Sequence, residues 1–314
     1  MIANEAELHR KRHPIQVVAR RTGLTADVLR AWEKRYGVVE PGRSEGGRRL
    51  YSDDDIKRLR LLRRASESGR RISQVASLTT EKLSALVEED DREQVAATVD
   101  STAVAAEAAA PHLQASLDAV DRLDAKGLEA ALNRALLTLS SATMIDGVAA
   151  PLMRQVGELW KNGKLRPAHE HLASAVVIRI LGKLLEAAQP AGAAPVLVVA
   201  TPARQAHEFG ALFAAATAAS EGWRVTYLGA DLPAVDIAAA ALQSEAAAVA
   251  VSVVPPLDER VTDELRILRR ELPAVTPIIV GGSASNALKP VLEEIDAIQV
   301  ATLDELRAKL AELA

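Results

Sequence analysis

His207 is the residue whose type and position first invite chemistry. It stands in TPARQAHEFG, Thr201 to Gly210, after the apolar run Val196 to Ala200 and before an alanine-rich helical stretch. That handover from strand to helix is the carboxyl edge of a sheet, where open α/β folds bind ligands. A dinucleotide does not suit the loop, which has only Gly210 in place of the glycine-rich turn that lets backbone approach a pyrophosphate. What it offers is one imidazole, with Gln205 two residues before it, to be read either as a ligand-binding group or as a polar loop residue. A second constellation is Trp160, Glu170 and His171: an aromatic face, a carboxylate acceptor and an imidazole that could converge on a ligand, or close the end of a helical bundle.

The elements that must position these groups can be read from periodicity. From Val196 onward, the strand-like runs VLVVA, RVTYLGA, AAVAVSVV, PIIVGG and AIQVA alternate with helical stretches. Five βα units predict a doubly wound parallel five-stranded sheet over 191–314. Ser252 then ends the third strand and Gly281-Gly282 follow the fourth, on the same edge as His207. A phosphoacceptor receiver domain is excluded, because its acidic positions carry Thr201 and Ser252. Upstream, four stripes of helical period fill 111–190, broken at Asp124 to Gly127, Ser140-Ser141 and Lys161 to Arg166, which predicts a four-helix bundle. Trp160 ends its third helix, and Pro167 opens the fourth, so that Glu170 and His171 lie at the same bundle end. The stretch 81–110, with an acidic cluster at Glu88 to Asp91 and an alanine run, reads as a linker.

Charge sets the remaining part apart. Residues 1–75 hold 18 Lys+Arg against 10 Asp+Glu, and the remainder 20 against 32, so the two parts carry plus 8 and minus 12. A basic module suited to a polyanion is thus joined to an acidic body that is not. The chain has 314 residues, 49% of them hydrophobic, enough for two or three domains with real cores. It has no cysteine, which excludes disulfides, zinc thiolate sites and thiol nucleophiles. Neither a signal-like apolar segment nor a membrane-length run occurs, and a soluble cytoplasmic protein is expected.

Within 1–80, IQVVARRTG and TADVLRAWEKRYG predict two short helices around Gly23, a helix-turn-helix, with Trp32 and Tyr36 in the core. A turn-rich arginine hairpin follows, and Ser52 caps a third helix. LRAWEKRYG followed by RSEGGRRLYSDDDIKRL resembles the DNA-binding domain of the MerR family of transcription regulators. The resemblance implies a winged helix-turn-helix. Thr25, Arg30, Lys34 and Arg35 would sit in the major groove of double-stranded operator DNA, and Arg43, Arg48, Arg49 and Tyr51 on the wing. One such domain covers one half-site, so a homo-oligomer, dimer or tetramer, is expected.

QAHEFG also looks like the D/E-x-H-x-x-G motif of cobalamin-binding Rossmann-like domains, Ser252 to Val254 like their S-x-L, and Gly281-Gly282 like their final GG. Trp160 to Glu170-His171, a W-x9-EH pattern, resembles the CarH and LitR class of adenosylcobalamin-dependent, light-sensing MerR-type repressors. That resemblance implies a multidomain α and α/β chain that is no enzyme, with adenosylcobalamin as cofactor. His207 would be the axial cobalt ligand. Gly210, Ser252, Val254, Gly281 and Gly282 would receive the nucleotide tail, and Trp160, Glu170 and His171 would cover the adenosyl group. Binding of operator DNA as a dark-state oligomer and release on photolysis would follow. Two positions depart from the class. Gln205 replaces the acidic residue that orients the histidine, though its amide carbonyl could still do so. Lys161 stands where some members have a histidine that captures cobalt after light, with His169 and His171 as nearby candidates. These departures keep a light-independent sensor of cobalamin or another tetrapyrrole in view. A corrinoid-dependent enzyme subunit would need a substrate partner domain, for which the chain leaves no length.

Overall fold

The computed structural model describes residues 10–44, 46–188, 190 and 194–314; the expected domain limits at 1 and 191 lie outside the described residues. The chain divides into two compact units, Met1–Thr102 and Ala103–Ala314.

The first unit runs β1 (His13–Pro14), α1 (Ile15–Thr22), α2 (Ala26–Tyr36), β2 (Gly42–Arg43), β3 (Arg49–Tyr51), α3 (Asp53–Glu67) and α4 (Ile72–Val75), and α5 (Thr80–Asp121) starts in it. Gly23, at φ 68°, ends α1, and Thr25 Oγ1 accepts the Val28 amide at 3.2 Å to begin α2. A side chain at Gly23 would run into the Arg63 guanidinium, which donates to Thr22 O at 3.0 Å and ties α3 to the turn. The three short strands form an antiparallel sheet in the order β1-β3-β2, with β2 and β3 as the wing hairpin. Ser52 and Asp55 make a reciprocal capping box at the start of α3: Ser52 Oγ accepts the Asp55 amide at 3.1 Å, and Asp55 Oδ2 accepts the Ser52 amide at 2.8 Å. Val18, Leu29, Tyr51, Leu59, Leu62 and Leu83 form the centre of this unit.

Two expectations change here. Residues 81–110, read as a linker, are helical and belong to α5, which has Pro111 inside it. Alanine is the strongest helix former, and low complexity in an alanine run is compatible with a continuous helix. Tyr36, expected in the core, is exposed, whereas Trp32 packs against it. Among the described residues no helix is long and apolar enough to cross a membrane.

The second unit begins with the carboxyl-terminal part of α5, continued by α6 (Ala125–Thr138), α7 (Ser141–Met144), a π-helical turn (Ile145–Ala149), α8 (Ala150–Lys161) and α9 (Pro167–Ala187). Asp124 Oδ1 caps α6 through the Gly127 amide at 2.8 Å, and Ser140 Oγ caps α7 through Thr143 at 3.1 Å, which explains the breaks seen in the sequence. The stripes Leu128, Leu132, Ile145, Val148, Leu152, Val156, Val176 and Ile180 face one another in a dry core. Then come β4 (Val196–Pro202), α10 (Phe209–Ser220), β5 (Arg224–Leu232), α11 (Ala234–Gln243), β6 (Ala248–Ser252), α12 (Glu259–Glu271), β7 (Ile278–Gly281), α13 (Lys289–Glu294), β8 (Ile298–Gln299) and α14 (Leu303–Leu313). The five strands are all parallel in the order β5-β4-β6-β7-β8, a doubly wound sheet whose chain reverses direction beside β4. Leu212, Phe213 and Ala216 of α10 join the core of the bundle, so the bundle packs on that helix, while the strands have two cores of their own.

Replacing Ser52 by Ala is expected to cost about 1 kcal/mol of stability through loss of the bond from the Asp55 amide to Ser52 Oγ. The check is urea unfolding, with a lower midpoint at unchanged slope.

Candidate functional site

The parallel sheet sets the site. On one face a cavity of about 410 Å³ lies between β4, β6, β7 and helices α10 and α14, with Asp146, Ala150 and Arg154 of the bundle closing it. That is the size of a small-molecule site. Its walls bring together four of the residues singled out from the sequence: Gly210, Ser252, Gly281 and Gly282. Helix α10 lies so close to β6 that a Cβ at Gly210 would fall inside the van der Waals radius of Ser252 Oγ. Gly282 sits at φ 97°, and a Cβ on it would stand 2.8 Å from Val253 N. A Cβ at Gly281 would press on Val300 Cγ2 at 3.3 Å.

Ser252 is buried, and its hydroxyl has no hydrogen-bond partner among the described residues. A buried hydroxyl left unpaired is costly, and one facing a cavity is satisfied by a ligand that accepts or donates there. Glycine walls and one unpaired hydroxyl beside the apolar side chains Val199, Ala250 and Ile279, with Asp146 and Arg154 at the bundle side, suit a flat aromatic group carrying polar substituents, which is the chemistry of a nucleotide-like tail.

His207 is exposed beyond the carboxyl end of β4 and has no hydrogen-bond partner among the described residues. Its loop is firmly built. Arg204 has φ 72° and donates its amide to Asp231 Oδ1 at 2.6 Å, while the Asp231 amide reaches Thr201 Oγ1 at 2.9 Å. Gln205 is 2% exposed. Its Oε1 accepts the Val254 amide at 2.8 Å, and Nε2 donates to Pro256 O at 3.4 Å. The expectation that this amide carbonyl orients His207 is therefore corrected: it is committed to the β6 side of the edge. Val254 enters through that backbone amide and does not line the cavity.

At the end of the bundle, Trp160 lies in the last turn of α8 and is 50% exposed, while Glu170 and His171 lie in the opening turns of α9. Glu170 accepts from Ser174 Oγ at 2.5 Å and bonds His171 Nδ1 at 2.7 Å, so the pair is oriented as one group. None of the three lines the cavity. His169, considered for cobalt capture, caps α9 instead by accepting the Arg166 amide at 3.2 Å.

Sequence reasoning missed two features of this unit. Asp146 of the π-helical turn lies 2.7 Å from Arg307 Nη2, and Arg307 also meets Asp304 at 2.7 Å and Glu221 at 3.4 Å. Burial pushes the Asp146 carboxyl up, with Arg307 opposing. Tyr227 donates to Glu208 Oε2 at 2.7 Å, and burial, then that bond, push its phenol above the ordinary range. Apart from Asp304–Arg307, three apart on α14, these pairs join residues separated by a strand or more of sequence, and no periodicity reports them.

In the first unit, Lys34, Arg35, Arg43 and Arg48 are exposed on α2 and the wing. Thr25 is exposed at the start of α2, and Arg30 pairs with Asp27 at 2.9 Å on its surface. Arg49 is held by Glu33 at 3.0 Å. Tyr51, expected on the DNA-facing wing, is corrected to a core residue: it is 0% exposed, its hydroxyl reaches Glu33 at 3.5 Å, and burial with the Glu33 charge raises its pKa to about 12.

Comparison with known proteins agrees with these parts in order. Residues 14–82 match the MerR HTH family regulatory protein, and residues 113–185 and 195–313 each match a B12 binding domain. The chain is 34% identical over 90% of its length to the HTH-type transcriptional repressor CarH of Myxococcus xanthus, covering 92% of that protein. It is 33% identical over 88% of its length to the HTH-type transcriptional repressor CarA of the same organism, covering 89% of it. A monomethylamine corrinoid protein of Methanosarcina barkeri shares the fold of the second unit, with TM-score 0.50, 16% identity, and 63% of this chain and 96% of that one covered.

Ser252→Ala is expected to leave the ligand-free protein as stable as before or slightly more so, since no bond is lost, and to weaken corrinoid binding about tenfold. Thermal unfolding and absorbance titration read the two effects. From its two relatives and three matched domains, this chain belongs to the family of MerR-type transcriptional repressors with B12 binding domains, a regulator and not an enzyme.

Proposed function

We propose that this protein is an adenosylcobalamin-dependent, light-responsive repressor that binds operator DNA as a dark-state oligomer and releases it on photolysis. The observation that carries the cofactor reading is the unpaired Ser252 hydroxyl facing a glycine-walled cavity of about 410 Å³ at the foot of the His207 loop. Bound adenosylcobalamin would supply a cobalt–carbon bond that light cleaves. Ser252, Gly210, Gly281 and Gly282 would hold its tail, with Val254 fixing the edge beside them, and His207 would supply an imidazole ligand to cobalt. Trp160, with Glu170 and His171, would shelter the adenosyl group. The protein's part is linkage: groups on the bundle and on the sheet gripping one ligand favour the arrangement in which both grip it, and losing the upper group removes that preference.

On the DNA side, Thr25, Arg30, Lys34 and Arg35 would face the major groove, while Arg43, Arg48 and Arg49 would contact backbone from the wing. One such module reads one half-site, so specific binding calls for a dimer or tetramer. A repressor of this kind acts in the cytoplasm. A second reading, a light-independent sensor of cobalamin or another tetrapyrrole, draws support from Gln205, whose amide is spent on Val254 and Pro256 and leaves His207 without an acceptor from that position.

Size-exclusion chromatography with absorbance detection, on protein loaded with adenosylcobalamin, separates the readings. A large corrinoid-bearing species in darkness that dissociates after green light is the expected result. Corrinoid binding without a size change would favour the light-independent sensor, and no binding would end the cobalamin proposal. For the DNA module, Arg48→Ala is expected to weaken binding evenly across operator variants and to lower the salt slope by about 1, measured by titration at several salt concentrations.

A further inference from the structure

The loop that carries His207 is gripped on two flanks by different parts of the unit. On one side Gln205 is buried and bonded to Val254 N and Pro256 O, both just beyond β6. On the other, Glu208, the residue next to His207 and the last before α10, accepts the Tyr227 hydroxyl at 2.7 Å. Tyr227 stands on β5, and its ring packs against the hydrophobic core of the bundle, as does that of Phe209, which follows Glu208. Phe209 in turn lies with its ring centroid 5.9 Å from that of Phe213, a buried member of the same core. Glu208 therefore has its carboxylate at the amino end of α10, where the helix favours negative charge, and fixed by a phenol that β5 carries and that packs against both the bundle core and the sheet core. His207 sits between the two grips with no bond of its own among the described residues, so its position is set by its neighbours in the chain.

We infer that Tyr227 and Glu208 are positioning residues for His207: the bond from β5 to the amino end of α10 fixes where the imidazole stands at the sheet edge. The inference rests on the reading of His207 as the axial cobalt ligand. It gives the loop a second grip from the sheet itself, from β5 through the amino end of α10, separate from the Gln205 grip on the β6 side.

The test uses the full chain loaded with cobalamin and reduced to the cobalt(II) form, in which nitrogen superhyperfine splitting in the electron paramagnetic resonance spectrum reports an imidazole on the metal; isotopically labelled histidine in the protein identifies that nitrogen. Tyr227→Phe removes only a hydroxyl, and Glu208→Ala removes the carboxylate with its charge. Each is expected to lower the ratio of histidine-ligated to histidine-free cobalt about tenfold, the effect of one hydrogen bond to a charged group. The double variant is expected to go no further, and Glu208→Gln, which keeps an acceptor, to restore part of the ratio. In the ligand-free variants, amides 206–209 should exchange with solvent faster while the circular dichroism and unfolding midpoint hold. Histidine ligation in the wild type that Tyr227→Phe and Glu208→Ala leave unchanged would overturn the inference alone. A wild-type spectrum with no histidine nitrogen would overturn the ligand reading and the inference with it.

Discussion

Helix α10 lies so close to strand β6 at Gly210 that a Cβ there would press on the Ser252 side chain, at 3.3 Å from its Cβ, and the site of the second unit is arranged around that approach. Because the helix is drawn in at its first turn, the His207 loop before it is short and taut at the sheet edge, and Ser252 faces a cavity where it would otherwise meet a side chain. The same helix turns Leu212, Phe213 and Ala216 outward into the bundle, which therefore docks on the sheet through that helix. A dense interior of this kind transmits small displacements as discrete shifts and does not absorb them by continuous deformation. Binding in the slot and seating of the bundle are thus two views of one packing arrangement.

Much of this was legible in the sequence where local rules decide. The breaks at Asp124, Ser140 and Lys161 to Arg166 were visible because caps and a proline at the first helical position act on adjacent residues. The strands of the sheet showed as apolar runs because both of its faces are covered. Ser252 and Gly281-Gly282 stood out at the carboxyl ends of their strands, and Gly210 through the resemblance of its motif to cobalamin-binding domains. What stayed hidden depends on partners far along the chain. Gln205 looked free to orient its neighbour, but it meets Val254 across the edge. The long alanine-rich helix was passed over because its weak amphipathic pattern reads as low complexity, although its propensity is high.

Tyr51 shows the same limit in the first unit. Arg49 and Tyr51 are two apart on β3 and so share one face of the strand, and from the sequence both could point to DNA. Glu33 of α2 draws both to itself, the guanidinium at 3.0 Å and the phenol at 3.5 Å, and with the phenol buried the wing is anchored to the helix beside it. The carboxylate thereby fixes the angle between helix and wing, which is the geometry a groove and its flanking backbone must match. The exposed positive charge that remains, Lys34, Arg35, Arg43 and Arg48, is distributed along that fixed frame.

The π-helical turn at Ile145–Ala149 bears on how this bundle can change by insertion and deletion. Such a turn accommodates one residue more than an α-helix of the same rise, while the helix on either side keeps its facing. Deleting a residue elsewhere in the third helix would rotate everything downstream by about 100° and turn buried Leu152 and Val156 toward solvent. Deleting one within 145–149 can be absorbed by tightening the turn, which leaves the direction of Trp160 intact at the expense of the local packing of Ile145, Val148 and Ala149 and the aim of Asp146 at Arg307. The segment is in that sense a spare residue held in reserve, at the one place where the length of the helix and the orientation of its end are uncoupled.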